Sequence, residues 1–511
     1  MSLTVRLASP LRAAAGGRAT LSFDATDLTS LTAQIAERHP ELAARVLREG
    51  AFGPFVNVFV DGEDLRFLAE GTDLTAKRVI EILPAMSGGA VAEPIATLAQ
   101  GREVFGSFID ETISIAARQT RDTVLFAVGS PSRAALERVG AGELARTVIE
   151  RDGPAALGYG VTEGDPELRA IVANEMSNRG IACGAENIIV TAGALQAIDL
   201  AVRVFVQPGD VALVESPHFT NAIASLRNHG ALPIEVPVDD EGMDVAAAAR
   251  LIERTGARPR IVFVVPNFQN PTGATLSLAR RHELIELAER HGSVILEDDP
   301  YRQLRYRGSD LPTIASVAGD RVQVIYCGSF SKVFLPGLRV GWAVAPVDVI
   351  ARMTALKQTM DSSTSSLGQR MVVRFYREDR MAAHVAALRP AYRENQARAL
   401  SALAREFAGT SVTWNHPEGG FYLWVRLPRG MSARRLFAVA LEEGVAFVPG
   451  DAFGLNGDHG SALRLSFSSP TPERIDEGVR RLRRAFDRCD SGDHATGAEI
   501  GTTGSRLAGA T

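Results

Sequence analysis

Five short apolar runs constrain this chain more than any other feature: Ile188 to Thr191, Val211 to Glu215, Ile261 to Val265, Ser293 to Glu297 and Val324 to Cys327. Each is bounded by turn residues, and helical patterns such as Ala194 to Val206 and Leu278 to His291 lie between them. Runs that are apolar at successive rather than alternate positions belong to strands buried on both faces, the condition of parallel strands covered by crossover helices. The expected fold is therefore α/β, a mostly parallel sheet flanked by helices, with its ligand site at the carboxyl ends of the strands.

A chain of 511 residues is long for one domain. Residues ahead of about 87 form a separate pattern of strand, strand, helix, strand, strand. Leu3 to Leu7 and Ala19 to Phe23 alternate apolar residues across a Gly16-Gly17 turn. A helix starts near Asp27, with Leu31, Ile35 and Ala36 on its inner face. Val56, Val58 and Val60 follow, then a turn at Asp61-Gly62 and a strand from Arg78 to Leu83 that leads into Gly88-Gly89. The last stretch, 491–511, is rich in Gly, Thr, Ala and Ser, has little to bury and reads as a disordered tail.

Net charge is −5, which gives no reason to expect nucleic acid or an anionic membrane as partner. Cys183, Cys327 and Cys489 are far apart and lack metal-ligand spacing, so no metal site is expected and the thiols read as reduced, in a cytoplasmic setting. No apolar run approaches membrane-spanning length.

The strongest chemical signal is Gly328-Ser329-Phe330-Ser331-Lys332, followed by Pro336-Gly337-Leu338-Arg339-Val340-Gly341. A lysine just past a buried strand, beside hydroxyls and with an arginine seven residues on, suits a covalently held aldehyde cofactor with a phosphate, pyridoxal 5′-phosphate. Ser329 and Arg339 can hold the phosphate, the arginine as a two-pronged donor. Upstream, Glu297-Asp298-Asp299-Pro300-Tyr301 ends another apolar run. A carboxylate there can pair with the cofactor's protonated ring nitrogen, and the tyrosine can reach the ring's 3′ oxygen. Asn267 to Gly273 adds an amide, Asn270, in a proline turn. Singly these segments also read as a surface lysine, a capping cluster and an Asn-Pro turn.

Together they carry a resemblance. Leu157 to Gly164, Thr191 to Gly193, Gln269 to Gly273, Glu297 to Tyr301, Ser329 to Gly341, Pro417 to Trp424, Val445 to Gly450 and Leu463 to Phe467 stand in the order of a fold-type I, class I/II aminotransferase. The branch most resembled is that of the 2-aminoadipate, kynurenine and aromatic aminotransferases. The resemblance implies that Lys332 binds the cofactor and moves a proton. It also implies that Asp298 pairs with the ring nitrogen, that Asn270 and Tyr301 flank the 3′ oxygen, and that Phe219 stacks on the ring. Arg464 would grip the substrate α-carboxylate, with Asn270 beside it. Tyr159 would reach the phosphate of a neighbouring subunit, which implies a homodimer. One departure stands out: after Gly193 the branch carries polar residues, where this chain has Ala194 and Leu195. Backbone N–H groups at that helix start can still bind phosphate.

The leading segment is similar to ubiquitin-like bacterial sulfur carriers, the small subunit of molybdopterin synthase and the thiamine sulfur carrier, on Phe55 to Phe67, Ile82-Leu83-Pro84 and Ser87-Gly88-Gly89. The implied division is a β-grasp domain over 1–89, a linker and arm over 90–130, a cofactor-binding domain over 131–360, a small domain over 361–490 and the tail. In the carriers the terminal glycine is charged with sulfur. Here Gly89 is followed by Ala90, so charging requires a cut after Gly89. An adenylating sulfurtransferase and a protease acting at the diglycine are the partners such a role needs.

Three functions remain open on the residues. The first is transamination between an amino acid and a 2-keto acid. The second is β- or γ-replacement or elimination, with sulfur delivered by the carrier segment. The third is a transcription regulator with an aminotransferase-like sensor. Residues 1–89 hold nine Lys and Arg against eleven Asp and Glu, which argues against DNA binding.

Overall fold

The computed structural model describes residues 3–48, 50–53, 56–61, 63–65, 74, 79–84, 109, 114, 122–455 and 459–490. The chain divides into two compact units, one carrying the described residues up to 84 and the other carrying 123–486. Gly88-Gly89, most of the expected arm and the expected tail lie outside the described residues.

In the first unit, strands β1 (Leu3–Leu7), β2 (Thr20–Phe23), β3 (Val56–Val60), β4 (Glu63–Asp64) and β5 (Val79–Pro84) form one sheet in the order β2-β1-β5-β3-β4. The β1–β5 pair is parallel and the others antiparallel. Helix α1 (Leu28–Arg38) begins at Asp27, whose carboxylate accepts from the Ser30 amide at 2.7 Å while the Ser30 hydroxyl accepts from the Asp27 amide. This reciprocal cap satisfies donors that the first helical turn leaves open.

Two expectations are corrected in this unit. The inner face of α1 is Leu31, Thr32 and Ile35, and Ala36 is exposed. Five residues on from Leu31 lies about 140° round the helix, so Ala36 points away from the sheet. The link from β1 to β2 is also more than a diglycine turn. A helical turn, Ser9–Arg12, and a 3-10 turn, Ala13–Ala15, precede Gly16. A second helix, Pro40–Val46, and a small hairpin of Leu47–Arg48 with Ala51–Phe52 complete the unit.

The second unit is built on eight strands: β6 (Ile188–Thr191), β7 (Val211–Ser216), β8 (Leu232–Asp239), β9 (Gly242–Met243), β10 (Pro259–Val264), β11 (Val294–Asp298), β12 (Val324–Ser329) and β13 (Gly341–Val344). Their order is β9-β8-β7-β10-β11-β12-β13-β6. Strands β8, β7, β10, β11 and β12 are mutually parallel. All five apolar runs are strands and point one way. However, β6 joins the sheet through β13, which runs antiparallel to both β12 and β6.

Residues along the central strands alternate between two apolar clusters. Ala212, Val214, Ile261, Phe263 and Leu296 belong to one, and Leu213, Val262, Val264 and Ile295 to the other. Helix α2 (Ala194–Phe205) supplies Ile198 and Ala201 to the first cluster, and α3 (Leu278–His291) supplies Leu284 and Ile285 to the second. This two-sided burial is why the runs are apolar at successive rather than alternate positions. A four-stranded antiparallel sheet follows, with β14 (Thr413–Trp414), β15 (Tyr422–Arg426), β16 (Val448–Pro449) and β17 (Ala462–Ser466) in the order β14-β15-β17-β16.

Candidate functional site

The parallel strands deliver their last residues to one cavity of about 310 Å³. Asp298 closes β11, Ser329 closes β12, and Lys332 follows three residues later; all three line it. Ala194 and Leu195 line it from the start of α2, Phe219 from the loop after β7, and Asn270 from the loop after β10. Tyr301, Arg339 and Arg464 complete the wall among the residues the sequence singled out.

Asp298 is the focus of the electrostatics. Its side chain is buried, and Oδ1 is sealed from solvent with no hydrogen-bond partner among the described residues. Burial, reinforced by the Asp299 charge and opposed by Lys332, pushes its carboxyl up to about 7. Asp299 is held separately, accepting from Asn267 Nδ2 at 2.8 Å and from Tyr326 Oη at 3.3 Å. An orphaned carboxylate oxygen on a residue that lines a cavity is costly unless something with a proton and a positive charge comes to that carboxylate. A protonated pyridine nitrogen is such a group.

Lys332 Nζ donates to the Gly129 carbonyl at 2.8 Å and lies 5.7 Å from the centre of the Tyr301 ring. Arg464 is 2% exposed, donating to Asn270 Oδ1 at 2.8 Å and to the Ala127 carbonyl at 2.6 Å. Asn270 and Arg464, assigned to ring and carboxylate by the sequence, are thus one bonded unit.

A second group of lining residues carries donors that could hold a phosphate. Ser331 donates its amide to Ser329 Oγ at 3.1 Å, and Arg339 Nη1 donates to Ser331 Oγ at 3.3 Å. Gly193 caps α2 at φ 88, and a Cβ there would fall 2.4 Å from Arg339 Nη2, so glycine meets both the backbone and the space requirement. The first amides of α2, two hydroxyls and a guanidinium form an anion site. The residues present therefore fit pyridoxal phosphate at both its ends.

Sequence reasoning missed Ser331, Gly129 and Tyr422. Tyr422 Oη lies 3.1 Å from Tyr301 Oη. Burial and the neighbouring Tyr422 raise the Tyr301 phenol well above its usual range. Burial also pushes the Tyr422 phenol upward, but the Arg464 and Lys332 charges and the hydrogen bond with Tyr301 together outweigh it and the net shift is down. Tyr159, by contrast, is 97% exposed and does not line the cavity. Among the described residues no cluster of three or more His, Cys, Asp or Glu could hold a metal, and no helix is long and apolar enough to cross a membrane.

Comparison with known proteins agrees with this geometry. The family described as aminotransferase class I and II matches residues 121–482, and the ThiS family matches residues 5–89. A 2-aminoadipate transaminase of Thermus thermophilus is 39% identical over 363 residues, 71% of this chain and 89% of the relative. An aromatic-amino-acid aminotransferase of Thermococcus litoralis is 34% identical over 368 residues, 71% of this chain and 88% of the relative. Among solved structures, the α-aminoadipate aminotransferase of Thermus thermophilus, complexed with N-(5′-phosphopyridoxyl)-L-leucine, matches with a TM-score of 0.72 and 36% identity, covering 78% of this chain and 100% of that one.

Proposed function

The chain belongs to the class I and II aminotransferase family and is a pyridoxal-phosphate-dependent transferase, and on that premise we propose how its own residues carry out transamination. The observation that carries the reading is that Asp298, which keeps an orphaned oxygen, lines one cavity with Lys332. When bound, the cofactor supplies an electron sink that makes the α proton of an amino acid removable.

Lys332 would hold the cofactor covalently and, as a free amine, would be the base that moves the proton between the substrate's α carbon and the cofactor's 4′ carbon. Its tether to the Gly129 carbonyl keeps the amine at the cavity wall. Asp298 keeps the ring nitrogen protonated, an ion pair made in a buried place where it is strong. Asn270 and Tyr301 hold the 3′ oxygen, and Phe219 covers the ring face. Arg464, preset by Asn270 and Ala127, binds the substrate carboxylate as a fork on a fork. Ser329, Ser331, Arg339 and the start of α2 hold the phosphate. Tyr159, exposed in the single chain, serves the phosphate of a second copy in a homodimer. The setting is cytoplasmic.

The test is spectroscopic. The purified enzyme is offered candidate amino acids one at a time, and conversion of the bound cofactor to its amine form, reversed by a 2-keto acid, establishes the cycle. A persistent long-wavelength band with no amine form would sink it in favour of replacement chemistry.

The ThiS match over residues 5–89 keeps a second reading in view, in which the leading domain is cut after Gly89 and carries sulfur. Adenylation needs a free carboxylate, and the Gly89–Ala90 peptide bond occupies it. Intact mass of protein from its native host separates the two. A fragment ending at Gly89, heavier by one oxygen-to-sulfur exchange, supports the carrier role, and full-length chain alone in active enzyme defeats it. The same match accounts for the leading unit without a DNA-binding module.

A further inference from the structure

Tyr422 opens β15 and faces the reacting space, yet nothing in the proposed chemistry uses it. Its side chain is buried and lines the cavity with Lys332. The Arg464 guanidinium sits over its ring, Cζ 4.3 Å from the centroid, a contact any aromatic would make. The hydroxyl is what distinguishes tyrosine from phenylalanine here, and the structure makes specific room for it. A Cβ on Gly129 would fall 1.9 Å from Tyr422 Oη, so the phenol occupies space that only a glycine leaves open. The Gly129 carbonyl in turn accepts from Lys332. Tyr301, Lys332 and Arg464 thus face this phenol from three different segments, and Asp298 acts on its partner Tyr301.

Hydrogen-bond valence then fixes a direction. A phenol has one proton to donate. If Tyr301 gives its proton to the cofactor's 3′ oxygen, the 3.1 Å contact between the two hydroxyls can only be Tyr422 donating to Tyr301. We infer that Tyr422 is a positioning residue of the transamination site, whose hydroxyl donates to Tyr301 and so commits the Tyr301 proton to the cofactor's 3′ oxygen. This rests on the reading that Tyr301 faces that oxygen. The Arg464 and Lys332 charges beside Tyr422 favour loss of its proton and so make it the better donor of the two. Hydrogen bonds in series polarise one another, so the second donor strengthens the first. Donation to the 3′ oxygen draws electron density from it and weakens its hold on the proton it shares with the Lys332-linked nitrogen.

The experiment is a pH titration of the visible absorbance of the lysine-bound cofactor, which reads that shared proton without turnover. In Tyr422→Phe the midpoint should rise by roughly half a unit to one unit, the worth of one hydrogen bond expressed as a proton affinity. Tyr301→Phe, which removes the direct phenolic donor, should raise it further. Replacing Tyr422 by 3-fluorotyrosine keeps the shape and makes a stronger donor, so its midpoint should fall; this variant also covers the case in which Tyr422→Phe folds poorly. If Tyr301→Phe moves the midpoint and neither change at Tyr422 does, the relay is wrong and the site reading stands. If Tyr301→Phe itself leaves the midpoint in place, the placement of the ring fails and the relay falls with it.

Discussion

The two units bury very different things. Among the described residues of the first, the interior is Leu, Val, Ile, Phe and Ala, with Thr32 its one buried polar side chain. The second buries Glu215, Glu297, Asp298, Asp299, Arg281 and Arg464. Burial first, with smaller contributions from neighbouring carboxylates, pushes Glu215 up to about 8 and Glu297 and Asp298 up to about 7. Interior charge is expensive unless matched. Glu297 is matched by the amides of Ile314 and Ala315, and Arg281 by three carbonyls and Asn267. Glu215 and Asp298 each keep one oxygen without a hydrogen-bond partner among the described residues, and of the two Asp298 is the one that lines the cavity. Chemistry is therefore concentrated where one sheet ends its parallel strands, and the first unit's described part is an apolar-cored scaffold.

The comparison breaks most visibly at Lys332. Lys332→Ala should lower turnover on the order of 10²–10⁴-fold, the range of a positioned proton-transfer group, and abolish covalent attachment. Borohydride reduction and peptide mapping of the unmodified enzyme should place the pyridoxyl group on Lys332; a label on another lysine would overturn the assignment. Next in size is Arg464→Ala. Loss of a buried charge partner typically costs about 2–5 kcal/mol, which should appear mainly as a raised KM for the amino acid. Unchanged amino-acid binding would move the carboxylate site elsewhere.

A smaller effect is written in pH. The Asp298 carboxyl is raised from 3.8 to about 7 in the folded chain without cofactor. A raised carboxyl contributes most to stability below its unfolded pKa, and that contribution is lost as pH climbs through the folded value. Cofactor-free protein should therefore lose stability between about pH 4 and 7 relative to the loaded enzyme, whose ring nitrogen neutralises the ionised group. Asp298→Asn should flatten that difference, measured as the gap in Tm between loaded and unloaded protein. A gap that stays constant across the range, or persists in the asparagine variant, would show that Asp298 is not the titrating group.

Much of this was legible from the chain because its signals are local. The lysine after β12, the carboxylate ending β11 and the arginine of β17 each sit in a short motif at a strand end, so order along the sequence placed them in one cavity. What escaped depends on contacts between distant segments. Gly129 and Tyr422 are 293 positions apart, and only their packing shows why one must be a glycine and the other carries a hydroxyl. Strand β13 was missed because four residues, Gly341–Val344, follow the Pro336-Gly337 turn with no periodic run to mark them. Strand β8 carries Pro233 and Pro237 and is largely half-exposed, so it lacks the apolar signature; prolines are tolerated beside the two-residue edge strand β9. The helical pattern from Asp27 offers Ala36 as an apolar neighbour of Ile35, but the helix gives the buried position beside Leu31 and Ile35 to Thr32.

The smallest expected effect on catalysis comes from the first unit, and it tests the comparison from the other side. Leu31 is fully buried on the inner face of α1 and packs in the cluster with Val5, Ile35 and Ile80. Truncating a core leucine removes apolar contact and leaves a void, together about 2–5 kcal/mol. Leu31→Ala should therefore lower the unfolding temperature of the first unit, seen by calorimetry as an earlier transition. Ala36→Ser, on the exposed face, should change it by less than about 0.5 kcal/mol. Neither variant should alter the visible absorbance of the bound cofactor or kcat/KM for transamination, because every residue placed around the cofactor belongs to the second unit. A loss of kcat/KM in Leu31→Ala, with the cofactor still bound, would mean that the folded first unit contributes to catalysis, and the division between an apolar scaffold and a charged chemical core would fail.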